Sequence, residues 1–196
     1  GDATWALLLE YAQEPADVII DPMQIQLGYG RPETEYLRML RDETSRLGII
    51  LIFDEVVAFR NGFTGTQGKV GVSPDVTVVG KFIGGGLPVG AVGGPDDMMS
   101  VFKVSGDGPR ILHSGTFSGN PLTLAAGVAA MRLLTTEAYE HLAELSDRLC
   151  AGVASVLDAH GVDGRMEQYC TGSAELVFGP QPLRNVRDLP SYYQKP

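Results

Sequence analysis

Apolar runs alternate with helically spaced apolar positions along most of the chain, the pattern of a mostly parallel sheet covered by helices. Val18-Ile19-Ile20 is a short strand that Asp21-Pro22 ends. Between Glu33 and Leu47, the residues Leu37, Leu40, Thr44 and Leu47 share one helical face, and Gly48 follows where a helix C-terminus favours glycine. Ile49 to Phe53 is a continuous apolar strand, too uniform to have a wet face. A polar, glycine-rich stretch from Asn61 to Ser73 reads as a loop, Val76 to Val79 as the next strand, and Val89 to Val92 as another.

From Asn120-Pro121 the period changes. Leu122, Leu124, Ala125, Val128, Ala129, Met131 and Leu133 predict a long helix that packs closely through its alanines. Glu137 to Ala159 predicts a second, with Leu142, Leu145, Leu149, Val153 and Leu157 at three- and four-residue spacing. A weaker strand signal returns at Ala174 to Phe178. These changes place a boundary near Thr135, dividing the chain into residues 1–134 and the start of a smaller α/β unit at 135–196.

Composition narrows the classes. Of 196 residues, 44% are apolar and 20% charged, enough for one sizeable core and unlike a disordered chain. The formal net charge of −9 argues against nucleic acid or an anionic membrane as the main partner, since both demand basic patches. No window approaches eighteen uninterrupted apolar residues, and the first residues do not form a secretion signal. Cys150 and Cys170 cannot staple a chain this size and read as reduced thiols of a cytoplasmic protein. The chain opens on Gly1 and ends at Pro196 with no closing element, which reads as part of something longer.

Three segments could carry chemistry. Asp54 and Glu55 stand where the Ile49–Phe53 strand ends, and ligands of open α/β sheets bind beyond the carboxyl ends of strands. An aspartate there could equally cap the following turn. Lys81 directly follows the next strand, among apolar residues and glycines (Gly80-Lys81-Phe82-Ile83-Gly84-Gly85-Gly86). A lysine usually extends into water. These neighbours instead suggest a desolvated amine suited to Schiff-base chemistry, with glycines letting backbone approach a ligand. The third segment is His113 to Pro121, where Gly115, Thr116 and amides at a helix N-terminus suit an anion such as phosphate. An ordinary N-capping turn would look the same.

Other matches fail. Gly68-Lys69 lacks the hydroxyl residue and the leading strand of a P-loop, and Val89 occupies the last glycine position of a dinucleotide fingerprint. His113, His141 and His160 have no metal-ligand spacing.

An aspartate at a strand end, a glycine-flanked lysine 27 residues later and a Gly-Thr turn opening a helix are a specific combination. It resembles the class III aminotransferases, pyridoxal-phosphate enzymes of fold type I, and most closely their glutamate-1-semialdehyde 2,1-aminomutase-like members. Phe53-Asp54-Glu55-Val56 is similar to the family's cofactor-ring motif. Pro74-Asp75-Val76-Thr77 followed by Gly80 to Gly90 is similar to its Schiff-base lysine motif. Gly115 to Pro121 is similar to the segment that reaches the phosphate of the neighbouring subunit's cofactor. The resemblance covers residues 15 to 150 and implies a large-domain α/β sheet, second half only, followed by the start of the small domain.

It also implies pyridoxal 5′-phosphate on Lys81, Asp54 on the ring nitrogen, Val57 beside the ring, and Gly115 and Thr116 on a partner's phosphate in a homodimer. Small-molecule amino donors and carbonyl acceptors would be the substrates. Two departures stand out: Val57-Ala58-Phe59-Arg60 is one residue shorter than the ring motif of many members, and Asp21-Pro22 replaces the usual Glu-Pro. Segments that many members carry upstream and downstream have no counterpart in these 196 residues. Transamination, intramolecular amino transfer by an aminomutase, a non-catalytic remnant that keeps an interface, and a phosphate-binding regulatory domain all remain open on sequence alone.

Overall fold

A computed structural model describes residues 17–23, 33–103 and 111–178, together with positions 4, 6, 9, 10 and 105. Its main sheet has the order β1 (Asp17–Ile20), β2 (Ile50–Asp54), β3 (Val76–Gly80), β4 (Gly90–Gly93). The first three strands run parallel and β4 returns antiparallel to β3. Helix α1 (Thr34–Leu47) crosses one face of the sheet, and Gly48 in left-handed conformation (φ 69°) ends it as expected. Leu37 and Leu40 of α1 meet Leu51 and Phe53 of β2, with Ile49 and Val72, in the buried core.

Asp75 locks β3 to this layer. Its carboxylate accepts the Leu51 N–H at 2.8 Å and pairs with Arg41 of α1 at 2.9 Å, while its own N–H donates to the Leu51 carbonyl. These bonds fix the start of β3 beside the start of β2, and the parallel register then sets Asp54 opposite Val78.

Strand β2 alternates, contrary to the expectation from its uniform sequence. Leu51 and Phe53 are buried, whereas Ile50, Ile52 and Asp54 on the opposite face are half-buried, and Ile19 beside Ile52 is 66% exposed. The difference lies in cover: Leu51 and Phe53 pack with Leu37 and Leu40 of α1 in the core cluster, to which Ile50, Ile52 and Asp54 do not belong.

The expected loop from Asn61 to Ser73 holds more structure than its polarity suggests. A 3-10 turn at Ala58–Asn61 leads to α2 (Gly65–Val70). Beyond β3, a second 3-10 turn covers Lys81–Gly84, and a short helix α3 spans Asp96–Met99.

Helix α4 (Pro121–Leu133) is apolar nearly all round, and residues as large as Leu122 (70% exposed), Leu124, Val128 and Leu133 face outward. What it buries is small: Thr123 and Gly127. A Cβ on Gly127 would lie 2.3 Å from the Ile83 carbonyl oxygen, and one on Gly85 would lie 2.3 Å from that of Ala126. Helix and lysine segment therefore touch backbone to backbone, the close approach that its small residues allow.

Thr135 caps α5 (Thr136–Ala159) through the Ala138 N–H. That helix packs on a hairpin of β5 (Gly164–Cys170) and β6 (Ser173–Phe178). Strand β5 is absent from the sequence expectation; Arg165, Glu167 and Gln168 hide it by breaking the apolar run. Of the expected apolar stripe on α5, Leu157 is buried, while Leu145 and Leu149 are exposed. Among the described residues no helix is long and apolar enough to cross a membrane.

Candidate active site

Asp54 is the last residue of β2 and pairs in register with Val78 of β3. Its Oδ1 accepts the Val56 N–H at 3.1 Å, so it does cap its own turn, the plain role open to it from sequence. That bond uses one oxygen. Among the described residues Oδ2 of this half-buried carboxylate takes no hydrogen bond.

Lys81 follows the last residue of β3 directly. The expected desolvation is not what the structure gives: its side chain is exposed, because the flanking glycines supply no side chains to cover it. Its ammonium has no hydrogen bond or ion pair among the described residues. The singular feature is the backbone. Lys81 has φ 53°, the one positive φ at a non-glycine position among the described residues.

A left-handed lysine costs about 1 kcal/mol, which a glycine in its place would not incur if only the backbone mattered. The expected result is that Lys81→Gly unfolds at a higher denaturant concentration than Lys81→Ala, by about 1 kcal/mol in stability. Equal stabilities would mean that the turn carries no strain.

The two segments are joined by direct contacts. A Cβ on Gly80 would meet Val56 Cγ1 at 3.4 Å and the Val89 carbonyl oxygen at 3.2 Å, so the end of β3 lies against the residues that follow Asp54. The ring of Phe59 stacks on that of Phe82, with centroids 6.1 Å apart and planes at 24°.

Glu55, next to Asp54, is fully buried. Its Oε2 accepts the Thr66 N–H at 2.9 Å and its Oε1 the Gln67 N–H at 2.8 Å, satisfying two orphan amides at the start of α2. This explains why a helix forms in the expected loop. Burial pushes the Glu55 carboxyl above its ordinary range; the Gln67 and Thr66 amides pull it back, and the Asp21 charge adds a smaller push.

The native state therefore holds this proton more tightly than the unfolded chain does. Stability from this group is greatest below the ordinary carboxylate pKa and falls as pH rises through the raised one. Denaturant unfolding of the protein and of Glu55→Gln across this window should show the difference between them move against the wild type as pH rises. A pH-independent difference would remove the effect.

Asn61, also buried, ties this region to the hairpin. Its Oδ1 accepts from Lys69 Nζ and from the Thr171 N–H, and its carbonyl accepts the Thr171 hydroxyl at 3.1 Å. Val57 is half-buried against Met23, Ala58 and Cys170. The sequence flags Glu55 only as a strand-end acid beside Asp54, whereas the structure commits it to α2. Asn61 and Thr171 have no signal there, because each acts through a partner brought to it by the fold.

Gly115 and Thr116 stand apart. They line a cleft of about 550 Å³ with Pro88, Val89 and Gly90, and neither Asp54 nor Lys81 borders it. The start of α4 is not an open anion site, since Asn120 Oδ1 already accepts the Leu122 and Thr123 N–H groups. The Thr116 hydroxyl has no hydrogen bond among the described residues and remains available to a ligand.

The family description "Aminotransferase class-III" matches residues 4–163. Glutamate-1-semialdehyde 2,1-aminomutase 2 of Bacillus velezensis is 43% identical over 154 residues, 78% of this chain and 35% of that protein. An omega-transaminase from Sphaerobacter thermophilus is 45% identical with a TM-score of 0.88, covering 95% of this chain and 42% of that one. A glutamate-1-semialdehyde aminomutase from Pseudomonas aeruginosa, solved in complex with PMP, is 28% identical with a TM-score of 0.82 over 98% of this chain and 44% of that one. The chain thus spans less than half the length of these relatives. The sheet is the fold type I sheet of these enzymes in part, and the chain belongs to the class III aminotransferase family.

Proposed function

We propose that the protein carries out pyridoxal-phosphate-dependent transamination of an amino acid or an amino-ketone or aldehyde, with Lys81 as the covalent anchor. The observation that carries this reading is the pair at the adjacent ends of parallel β2 and β3. There Asp54 offers an unbonded carboxylate oxygen and Lys81 an unpaired ammonium. These groups fit the cofactor, which supplies an aldehyde for an amine and a protonated ring that withdraws electrons from the reacting carbon. Relatives with this fold include a transaminase solved with PLP bound, 34% identical at a TM-score of 0.83.

Lys81 Nζ, in its free-amine form, would take a proton from the substrate carbon and return it one position away. Asp54 Oδ2 would hold the proton of the ring nitrogen, and Val57 would pack beside the ring. The Gly115 amide and the Thr116 hydroxyl would donate to phosphate across a homodimer interface. Their cleft excludes Asp54 and Lys81, and α4 presents Leu122, Leu124 and Val128 outward, which supports a second subunit at this face. We divide the chain at Thr135 into residues 1–134 of the cofactor domain and 135–196 of the small domain, and place the protein in the cytoplasm.

A second reading, intramolecular amino transfer, is favoured by the curated relatives named as aminomutases at 41–43% identity. Conversion of a single amino-aldehyde with no second substrate would select it. No observation favours a non-catalytic remnant.

The test is chemical. The protein is incubated with pyridoxal phosphate, reduced with borohydride and digested, and the labelled lysine is found by mass spectrometry. Label on Lys81 supports the reading; label on another lysine, or none, overturns it.

A further inference from the structure

We propose that Glu55 is a positioning residue that sets Asp54 and Lys81 against each other. This rests on the cofactor reading above. Every polar group of Glu55 is committed to a different partner. Its N–H donates to the Val78 carbonyl at 2.8 Å, on the strand leading to Lys81. Its carbonyl accepts the Phe59 N–H at 3.0 Å. Its two carboxylate oxygens accept the first free amides of α2.

Gly65 makes room for this arrangement. At φ 72°, a Cβ on it would lie 2.5 Å from Glu55 Oε2 and 2.8 Å from the Phe59 ring. The same ring stacks on Phe82, the residue after Lys81. One continuous set of contacts therefore runs from the start of α2 through Glu55 and Phe59 to the lysine turn. Asp54 is held between the β3 pairing on one side and Glu55 on the other.

A buried carboxylate with both oxygens bonded to amides has one orientation available to it. Glutamine in its place would turn an NH2 group toward one of those amides and lose that bond. The end of β2 would then be free to tilt, and Asp54 with it. The carboxylate of Asp54 would be untouched, and Gly65→Ala, which displaces the Glu55 carboxyl but keeps its charge, separates placement from the loss of that charge.

The experiment uses the protein loaded with pyridoxal phosphate. Two quantities are read: the dissociation constant for pyridoxal phosphate, and the midpoint of the pH titration of visible absorbance of the Lys81-linked cofactor. Glu55→Gln should weaken binding by about tenfold and move the midpoint in the same direction as Asp54→Asn. Thr171→Val removes the hydroxyl bond to Asn61 without touching Glu55. It should lower the melting temperature and leave the midpoint in place.

If Glu55→Gln does not fold, Gly65→Ala is read by the same criteria, since its Cβ displaces the carboxylate and keeps its charge. A folded variant with wild-type affinity and midpoint overturns the proposal, and so does a Thr171→Val shift of equal size. A wild-type protein that forms no reducible linkage at Lys81 sinks the cofactor reading and this proposal together. A wild-type linkage with an unmoved Glu55→Gln midpoint sinks this proposal alone.

Discussion

The expected result of Lys81→Ala is that no borohydride-reducible label forms anywhere in the protein and that turnover falls by about four orders of magnitude or more. The size follows from the two roles that the proposed function gives this one amine. Alanine offers no nitrogen to condense with the cofactor aldehyde, and none to carry the proton between carbons. The other lysines of the described residues stand elsewhere: Lys69 Nζ donates to Asn61, and Lys103 follows the turn after α3. Neither follows a strand end beside Asp54. Alanine keeps the left-handed turn at the same backbone cost, so the variant should still fold and dock α4 through Gly85 and Gly127. Label persisting at another lysine would move the anchor, and turnover within about tenfold of wild type would remove Lys81 from the chemistry.

Asp54→Asn should retain the cofactor and lower turnover by about a thousandfold, which corresponds to about 4 kcal/mol of transition-state stabilisation. Asn keeps an oxygen to accept the Val56 N–H, so the turn after β2 survives. What it would lose is the negative charge that, on the proposed reading, would hold the ring nitrogen protonated. On that reading the charge would matter most in the rate-determining chemistry, so the loss should fall on the rate more than on affinity. Single-turnover kinetics with saturating cofactor check this. Near-normal turnover, or loss of cofactor binding in proportion to rate, would mean that Asp54 has another role.

Both variants lie in segments whose chemistry is legible locally. The strand ends at Asp54 and just before Lys81, the stop at Gly48 and the helix start at Asn120-Pro121 each rest on a few neighbouring residues. A glycine-flanked lysine after an apolar strand is informative because the flanking residues alone define it. The environment of that lysine is a different matter. Its neighbours promise burial, yet glycines cover nothing, and Lys81 is exposed. Helix α2 is hidden in the sequence because its first amides find Glu55, eleven and twelve residues earlier. Strand β5 is hidden because its partner β6, and not an apolar run of its own, stabilises it.

The sequence by itself determined the order of most strands and helices and the family that the three motifs resemble. Those properties depend on the spacing of side chains along a single segment. Only the tertiary structure decided which atoms are free to act. It left Oδ2 of Asp54 and Nζ of Lys81 without partners among the described residues, gave both oxygens of Glu55 to α2, and set Thr116 in a separate cleft. The reason is physical: a hydrogen bond needs its two atoms within about 3 Å, and for residues far apart in sequence only the packing of β2, β3, α2 and α4 supplies that distance.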